Sequence, residues 1–357
     1  MAKAPKFGIS FSFQAHRASG QPWDTVYREA LELAAEASRL GFESIWVSEH
    51  HGEEDGYCPS PVVAGAALAA AAPRCRIGQG IAIAPLQGHP LKLAEDLAVL
   101  DNLSGGRAEI GFGQGYRPAE YESFGLPYGR RTRALEEALE ILKLAWRGER
   151  FDYAGDIYRV TAGLLRPPPL RPGVPPRWMG AAARAARERV IRNGAGLIVA
   201  PLIELEHAAR QLASFEREVE AQGRPPAPTA LMREILIGGS VADAMARNRP
   251  ALDHVYRLQY APERTKASWV DPASGQKVPL TSDHPYYLSE HFVRERWFVG
   301  APEAIADAIS SWQPRLNLDR LLFHPLQPGM ALKDAVADLE CVAKIVAPRV
   351  REKLAAV

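Results

Sequence analysis

The sequence predicts an α/β protein that closes into a single (β/α)8 (TIM) barrel. Strand-like and helix-like segments alternate along almost all of the 357 residues, and eight strand candidates can be counted. Apolar side chains also recur at helical spacing between the strands, as in residues 22–40. Eight such units in a chain of this length favour a closed parallel barrel over an open doubly wound sheet, which is the alternative.

Four strand–helix units are predicted in the first half. The strands are 7–13, 44–48, 76–84 and 107–112. Helices are predicted at 22–40, 61–72 and 90–103, followed by a longer helix with Leu135, Leu139, Leu142 and Trp146 on one side. Gly41 follows the first helix directly, at the position where a left-handed residue ends a helix.

The second half contains four further strands and one insertion. The insertion precedes the fifth strand and contains a predicted hairpin, FDYAGDIYRV, and the proline-rich run RPPPLRPGVPP. Proline favours extended backbone, so we expect a stiff connection, with a linker between two domains as the alternative. The predicted strands are 177–180, 197–200, 229–238 and 318–324, and the helices between and after them include 204–222, 241–258, 302–312 and 332–346.

A long segment precedes the last helix–strand pair. Residues 260–299 are polar and aromatic and show weak periodicity. Loops of this length are commonly active-site lids. We therefore expect residues 1–357 to form one barrel domain, in which residues 256–299 are a mobile lid over the barrel mouth.

The composition excludes several functional classes. There are 43 basic and 42 acidic residues, so the formal net charge is +1. This balance does not indicate binding to nucleic acid or to an anionic membrane. Cys58, Cys75 and Cys341 are far apart and lack metal-ligand spacing. With no membrane-length apolar run and no signal-peptide pattern, a cytoplasmic protein is predicted.

The first candidate site is Glu49-His50-His51, directly after the second strand. In a parallel barrel, reactive groups lie at the C-terminal ends of the strands, and imidazole suits proton transfer near neutral pH. Strand alternation predicts that Glu49 and His51 point one way and His50 the other. A polar surface turn is an equal alternative. A metal site is disfavoured because no further ligand pattern accompanies the pair.

Three further loops lie at predicted strand ends. Gly113, Gln114, Gly115 and Tyr116 follow the fourth strand, and glycine lets a ligand approach the backbone. This is not a dinucleotide fingerprint, because Tyr116 stands where that motif needs glycine. Small residues also follow the fifth strand at 180–183, where a helix N-terminus could bind an anion. A tight turn with close packing is the alternative for 113–116, and an ordinary alanine-rich helix start is the favoured alternative for 180–183. The loop 78–90 by itself indicates only a turn.

Taken together and in this order, several segments resemble the bacterial luciferase-like flavin-dependent monooxygenase family. They are GFESIWVSEHH, IGQGIAIAPLQGHPLKLAEDLAVLDNLSGGRAEIGFGQGYRP, RALEEALEILKLAW, PPRWMGAA and VGAPEAIADAIS. The resemblance implies a barrel, usually dimeric, that uses reduced FMN and dioxygen to form a flavin hydroperoxide. It also implies that an organic substrate is oxygenated. Because the sequence has no nucleotide fingerprint for NADH, we expect a separate flavin reductase to supply the reduced FMN.

The resemblance assigns roles to individual residues. Glu49 and His50 match the flavin-side acid and the catalytic histidine, and residues 256–299 match a mobile active-site loop. The implied flavin contacts are Gly80 and Ile81, which match a peptide that is often cis, then Gly113, Gln114, Gly115 and Tyr116, and finally Gly180, Ala181, Ala182 and Ala183.

Two positions depart from the family pattern. Relatives often have arginine where Gln114 stands and serine where Ala182 stands. Backbone N–H groups, Arg117 or Arg184 would then have to bind the phosphate. A low flavin affinity is the expected consequence, and it would suit a flavin that is delivered already reduced.

Three rival functions are considered. They are a deazaflavin-dependent oxidoreductase of the same superfamily, a metal-dependent barrel hydrolase and a flavin-binding protein without catalysis. The substrate is not identified, but aromatic and histidine side chains predicted near the mouth favour an apolar or aromatic guest, with core packing as the alternative for each. These candidates are Phe11, Phe13, Trp46, Tyr116, Phe323 and His324.

Overall fold

The protein is described from a computed structural model that covers residues 3–171, 177–262, 268–270 and 275–356. The strands are β1 (Lys6–Phe11), β2 (Ser44–Val47), β3 (Arg76–Gln79), β4 (Ala82–Ile83), β5 (Ala108–Glu109), β6 (Gly111–Gly113), β7 (Phe151–Ala154), β8 (Arg159–Gly163), β9 (Trp178–Gly180), β10 (Gly196–Val199), β11 (Thr229–Met232), β12 (Ile235–Ile237), β13 (Ser268–Val270), β14 (Lys277–Pro279), β15 (Phe298–Gly300) and β16 (Arg320–Phe323).

Helices alternate with these strands. They are α1 (Trp23–Leu40), α2 (Pro61–Ala71), α3 (Pro90–Leu103), α4 (Pro118–Ser123), α5 (Arg131–Trp146), α6 (Arg184–Arg192), α7 (Leu205–Ala221), α8 (Val241–His254), α9 (Glu290–Arg296), α10 (Pro302–Leu316), α11 (Leu332–Cys341) and α12 (Ala347–Ala355). Gly41 ends α1 with a φ of 86°, as its position in the sequence predicts. Among the described residues, no helix combines the length and apolarity that a membrane span needs.

The parallel strands close into a barrel with eight strand positions. The order is β4-β6-β9-β10-β11-β16-β1-β2-β3-β5. Because β3 pairs with β5 and β4 pairs with β6, β3/β4 and β5/β6 are two neighbouring strands that are each interrupted once. The ring therefore closes, and the predicted eight-stranded barrel is confirmed. The β3/β4 interruption contains a cis peptide between Gly80 and Ile81.

Two element predictions need correction and a third is confirmed. The predicted strand 229–238 divides, because only β11 belongs to the barrel while β12 pairs with β15 outside it. The predicted helix 241–258 is α-helical to His254 and continues as a π-helical turn, Val255–Gln259. The insertion hairpin is confirmed as the antiparallel pair β7/β8, whereas residues 172–176 of the proline-rich run lie outside the described residues.

The predicted lid segment contains regular structure and a packed base. It includes the antiparallel pair β13/β14, then α9, and its last two residues belong to β15 rather than to a loop. Tyr287, Phe292 and Trp297 are buried in an apolar cluster with Val255 and Tyr256. Burial of these large rings anchors the segment to the end of α8.

Side chains fill the inside of the barrel below its C-terminal rim. Trp46 and Trp178 meet edge to face at 5.6 Å between ring centroids. Glu109 accepts hydrogen bonds from Trp178 Nε1 at 2.6 Å and from Arg171 Nη1 at 2.7 Å, and the Arg320 guanidinium stacks on Trp178. These packed, paired side chains form a floor that closes the barrel from below.

Candidate active site

A cavity of about 600 Å³ lies at the C-terminal rim of the barrel. Each of the eight barrel strands contributes a lining residue at or just beyond its C-terminal end. In chain order these are Ser12, Ser48, Ile83, Gly113, Gly180, Val199, Met232 and His324. The cavity therefore occupies the face on which (β/α)8 enzymes place their active sites.

The residues predicted to form the site converge on this cavity from four separate stretches of chain. Glu49 and His50 line it, together with Gly80 and Ile81. The other predicted residues that line it are Gly113, Gln114, Gly115, Tyr116, Gly180, Ala181, Ala182 and Ala183.

The predicted alternation of Glu49, His50 and His51 is only partly correct. Glu49 and His51 do share a side, because the carboxylate and the imidazole are 2.6 Å apart. His50, however, lines the same cavity as Glu49. The reason is that β2 ends at Val47, so strand alternation does not extend to these residues.

His50 is held by a carboxylate that the sequence reasoning missed. His50 Nδ1 lies 2.7 Å from Glu120 Oε1, and this oxygen also accepts the His51 backbone N–H at 3.1 Å. His50 Nε2 lies 3.4 Å from the Tyr116 hydroxyl, and the ring packs edge to face against Tyr57. We assign the proton to Nδ1, since the carboxylate accepts it there and Nε2 then serves as an acceptor.

The electrostatics of this pair favour a neutral imidazole beside an ionised carboxylate. Burial lowers the pKa of His50 below its ordinary 6.5, and the hydrogen bond to Glu120 opposes this only in part. For Glu120, burial acts to raise the pKa, but the hydrogen bonds from His50 and the His51 backbone N–H, together with the nearby Arg117 charge, outweigh that effect and lower it. Both directions leave His50 Nε2 able to accept a proton near neutral pH.

Glu49 is almost fully hydrogen-bonded within the protein. Its Oε2 accepts the Ile83 N–H at 2.8 Å, and its Oε1 accepts Gln87 Nε2 at 2.8 Å as well as contacting His51. Burial raises its pKa despite these bonds. Glu49 therefore ties the end of β2 to the strand that follows the Gly80–Ile81 peptide.

Small residues leave room for a flat ligand against the backbone. A Cβ on Gly180 would lie 2.4 Å from Ile81 Cδ1, so glycine there allows the Ile81 side chain to lie in the cavity. Gly115 has a φ of 69°, which a residue with a side chain rarely adopts. Around Gly113 a Cβ would meet nothing nearer than 3.9 Å, which indicates open space.

The end of the cavity at α6 suits an anion. Ala183 is the N-cap residue of α6, and no side chain makes a capping hydrogen bond there. The first N–H groups of the helix are therefore available to a ligand. Arg189, which the sequence reasoning missed, also lines the cavity and is buried, with its Nε donating to Glu136 at 3.1 Å. Arg189 lies in the last turn of α6 and pairs with Glu136, and its guanidinium adds hydrogen-bond donors to this part of the cavity wall.

The two arginines proposed as compensating residues do not line the cavity. The Arg184 side chain is 79% exposed and pairs with Glu188. Arg117 pairs with Glu53 and stacks near Tyr116 and Tyr260. The Gln114 side chain accepts a hydrogen bond from Thr132 Oγ1 at 2.8 Å.

The predicted aromatic wall is only partly correct. Of the six candidates, Tyr116 and His324 line the cavity. Trp46 lies in the barrel floor, whereas Phe11, Phe13 and Phe323 belong to the main hydrophobic core. The aromatic residues that do line the cavity and were missed are Tyr57, Tyr256 and Tyr260.

A second carboxylate on the rim was also missed. Glu234 follows β11, is 2% exposed and lines the cavity with His324 and Gln327. The available signal was the Arg233-Glu234 pair, which interrupts an otherwise apolar strand at its C-terminal end. Arg233 is fully buried and donates to the carbonyls of Ala200 and Ile203, which holds another cavity loop in place.

The residues present fit a flavin mononucleotide. The volume, the cleared surface around Ile81 and the open space at Gly113 suit a flat ring system, while the α6 N-terminus and Arg189 suit a phosphate. Among the described residues, no group of three or more histidine, cysteine and acidic side chains is arranged to hold a metal ion.

Comparisons with known proteins agree with this geometry. The chain is 27% identical over 334 residues to the oxygenase component of flavin-dependent trigonelline monooxygenase from Acinetobacter baylyi, which covers 92% of this chain and 91% of that protein. The oxygenating constituent of 3,6-diketocamphane monooxygenase from Pseudomonas putida, solved with FMN, superposes with a TM-score of 0.77 at 17% identity, covering 98% of this chain and 99% of the other.

A structure with a different cofactor shares the fold. A coenzyme F420-dependent secondary alcohol dehydrogenase superposes with a TM-score of 0.73 at 16% identity and covers 98% of this chain and all of the other. The family model for luciferase-like monooxygenases matches residues 6–316. On the fold, the site and this match, the chain belongs to the luciferase-like monooxygenase family of flavin-dependent oxidoreductases.

Proposed function

We propose that this protein is the oxygenase component of a two-component system, in which it binds reduced FMN and uses dioxygen to oxygenate an apolar organic substrate. The observation that carries the proposal is the convergence of the His50–Glu120 pair, the Ile81 surface and the α6 N-terminus on one cavity. Reduced FMN bound there would supply the electrons that activate dioxygen. A separate flavin reductase would supply the reduced FMN.

His50 is the proposed catalytic acid–base. Glu120 holds the proton on Nδ1, so Nε2 can accept a proton from a reacting group and return it in a later step. The Tyr116 hydroxyl at 3.4 Å and the buried Tyr57 ring limit the positions that the imidazole can adopt. His50, Tyr57 and Glu120 are buried, which limits the access of water to the place where the proton moves.

Glu49 and the small-residue surface are the proposed cofactor-binding groups. With both carboxylate oxygens engaged, Glu49 acts by fixing the strand that carries Ile81 and Ile83. Gly80, Ile81, Gly113, Gln114, Gly115 and Tyr116 would surround the ring system, and Gly180, Ala181, Ala182 and Ala183 would contact the phosphate end. Because Gln114 and Ala182 replace an arginine and a serine of many relatives, a modest flavin affinity is part of the proposal.

Residues 256–299 are the proposed lid of a single barrel domain. Tyr260 lines the cavity, its hydroxyl is 3.1 Å from that of Tyr57, and Arg117 Nη2 is 3.5 Å from the Gln259 carbonyl oxygen. These contacts join the start of the segment to the rim on the His50 side. A lid closed in this way would keep water from the reacting groups.

The proposal is tested with reduced FMN under air and a panel of apolar ring compounds, with product and hydrogen peroxide both quantified. His50→Gln should lower the rate of product formation by roughly 10²- to 10⁴-fold, because it removes the proton acceptor, while FMN binding stays within about twofold. His207→Gln, a change of the same type at an exposed position, is the matched control. Equal turnover by wild type and His50→Gln would remove His50 from the mechanism.

The structural likeness to the F420-dependent dehydrogenase supports a second candidate, in which the same cavity binds a deazaflavin and transfers hydride without oxygen. Titration of the protein with reduced FMN and with reduced deazaflavin in the absence of oxygen separates the two. Tighter binding of the deazaflavin, together with substrate turnover in the absence of oxygen, would favour this alternative.

A further inference from the structure

A second histidine–carboxylate pair lies on the same rim, at the ends of β11 and β16. These strands are parallel neighbours in which Ala230 pairs with Arg320 and Met232 with Leu322. Continuing this register by two residues brings Glu234 beside His324. The distance from His324 Nδ1 to Glu234 Oε1 is 3.5 Å, and both residues line the cavity.

Two short hydrogen bonds keep the Glu234 carboxylate in place. Its Oε1 accepts the Tyr256 hydroxyl at 2.5 Å, and its Oε2 accepts Gln327 Nε2 at 2.6 Å. Gln327 Nε2 also donates to the His324 backbone carbonyl at 3.1 Å. Gln327 thus links the carboxylate to the residue that carries the imidazole, and donors of this kind stabilise an ionised carboxylate.

The two ring nitrogens of His324 have different surroundings. Nδ1 is shielded from solvent and has no hydrogen-bond partner among the described residues. The nearest group of opposite charge is Glu234, so the favoured tautomer carries the proton on Nδ1, facing the carboxylate. His324 lines the cavity, and in this tautomer its other ring nitrogen, Nε2, is a hydrogen-bond acceptor.

We propose that His324, positioned by Glu234, binds and deprotonates an acidic ring hydroxyl of the substrate, so that the substrate is a phenol or a similar hydroxyarene. The substrate O–H bond breaks, the N–H bond forms at Nε2, and the electron pair stays on the oxygen. The imidazolium formed is stabilised by Glu234, and the oxyanion makes its ring a better nucleophile toward the transferred oxygen. This inference deepens the proposed function and rests on it for the oxygen donor.

The surroundings of the pair suit a ring of this kind. Tyr256 and Tyr260 line the cavity with ring centroids 6.2 Å apart, and the rest of this wall includes Val255, Met232 and Leu326. Glu234, Gln327 and the Tyr256 and Tyr260 hydroxyls are engaged within the protein, and the apolar wall with the remaining polar anchor, His324, favours a flat apolar molecule with one hydrogen-bond donor. Since Tyr256 also begins the proposed lid, its bond to Glu234 couples closure to the orientation of His324.

The test uses para-nitrophenol, whose anion absorbs visible light, and the full-length protein without flavin. We expect wild type to bind the probe and to lower its apparent pKa, so that the anion band appears at a lower pH than in buffer. His324→Gln should weaken binding by at least about tenfold and abolish the band shift, because a hydrogen bond to a charged partner is lost. Glu234→Gln should keep the probe bound but move its ionisation to higher pH.

His207→Gln, at an exposed position outside the cavity, is the matched control. It should retain both the affinity and the band shift. Circular dichroism of each variant establishes that it is folded. Absence of probe binding by folded wild type, or an unchanged spectrum in His324→Gln, would overturn the inference. Because no flavin is present, a positive result with a protein that fails to use FMN would leave this inference standing while the proposed function falls.

Discussion

At the residue scale, the His50–Glu120 contact influences the pKa of His50 and, through it, the pH dependence of stability and activity. Burial lowers the pKa of His50 below 6.5, and the Glu120 hydrogen bond is the strongest influence that raises it. A histidine with a lowered folded-state pKa resists protonation, so it destabilises the fold only as pH falls below 6.5 toward that value. A catalytic base of this kind would lose activity at lower pH, as the pH falls through its lowered folded-state pKa.

Glu120→Gln is therefore expected to change activity in two ways. The rate at neutral pH should fall by about tenfold to a hundredfold because the imidazole is no longer oriented. The acidic limb of the pH–rate profile should move to lower pH, since the group that raised the His50 pKa is gone. Steady-state rates between pH 5 and 8 measure both effects, and a limb that stays in place would separate Glu120 from His50.

Arg189 provides a second prediction at this scale. If it contacts the phosphate, Arg189→Met should weaken FMN binding by about tenfold or more, while riboflavin, which has no phosphate, should bind as in wild type. Arg184→Met is the control, because that side chain is 79% exposed and does not line the cavity. Fluorescence titration with both flavins gives the affinities. An equal loss for FMN and riboflavin would contradict a phosphate contact.

The sequence predicted the positions of the residues at the barrel rim more reliably than their partners. Glu49 and His50 stand directly after a recognisable strand, so the fold alone places them at the rim. Glu120 lies 70 residues after His50 on a short helix whose sequence, PAEYES, resembles any exposed helix start. Its burial depends on how two loops pack together, and no local pattern in the sequence reports this.

At the element scale, the approach of β9 to the β3/β4 interruption determines the space for a flat ligand. Gly180→Ala adds a methyl group that would lie 2.4 Å from Ile81 Cδ1. Because the Ile81 side chain can shift, the fold should survive, but the displaced atoms enter the cavity.

The expected result for Gly180→Ala is a flavin affinity at least about tenfold lower, with the free energy of unfolding changed by less than about 1 kcal/mol. Gly129→Ala is the matched control, since no heavy atom lies within 4 Å of a Cβ at that position and its φ is not in the left-handed region. Urea denaturation and flavin titration measure the two quantities. Undiminished binding would argue that the ring lies elsewhere.

Elements were predictable where periodicity is strong and ambiguous where the chain changes direction. All eight barrel strands occur where the alternation of segments predicts them. The strand 229–238 was read as one element because LMREILIG is apolar on both sides of Arg233-Glu234. The division follows from a parallel partner, β15, that lies more than 60 residues away in the sequence and that local patterns cannot reveal.

At the scale of the whole molecule, one helical face is apolar and exposed. The helix α2 has no charged residue, and Val63 on it is 73% exposed. Leu103 at the end of the neighbouring helix α3 is 62% exposed, and Leu170 is 58% exposed. Exposed apolar side chains are common at interfaces between subunits, so we propose that two copies associate through α2 and α3.

The double variant Val63→Asp, Leu103→Asp should shift the protein from twice 39.1 kDa to 39.1 kDa in size-exclusion chromatography with light scattering, because each interface would then bury four unpaired carboxylates. Ile345→Asp, on an exposed position of the π-helical turn Val342–Val346, should leave the mass unchanged. A wild-type protein that is monomeric at micromolar concentration would contradict the proposal.

The barrel floor has a consequence for the order of events. The barrel is closed from below by Trp46, Trp178 and the salt-bridged Glu109. Ligands therefore do not pass through this floor, and they enter and leave at the rim. When two ligands occupy such a cavity together, the one nearer the floor must bind first and dissociate last. Turnover should then follow a compulsory order of binding. An excess of the upper ligand should trap the lower one and slow its dissociation.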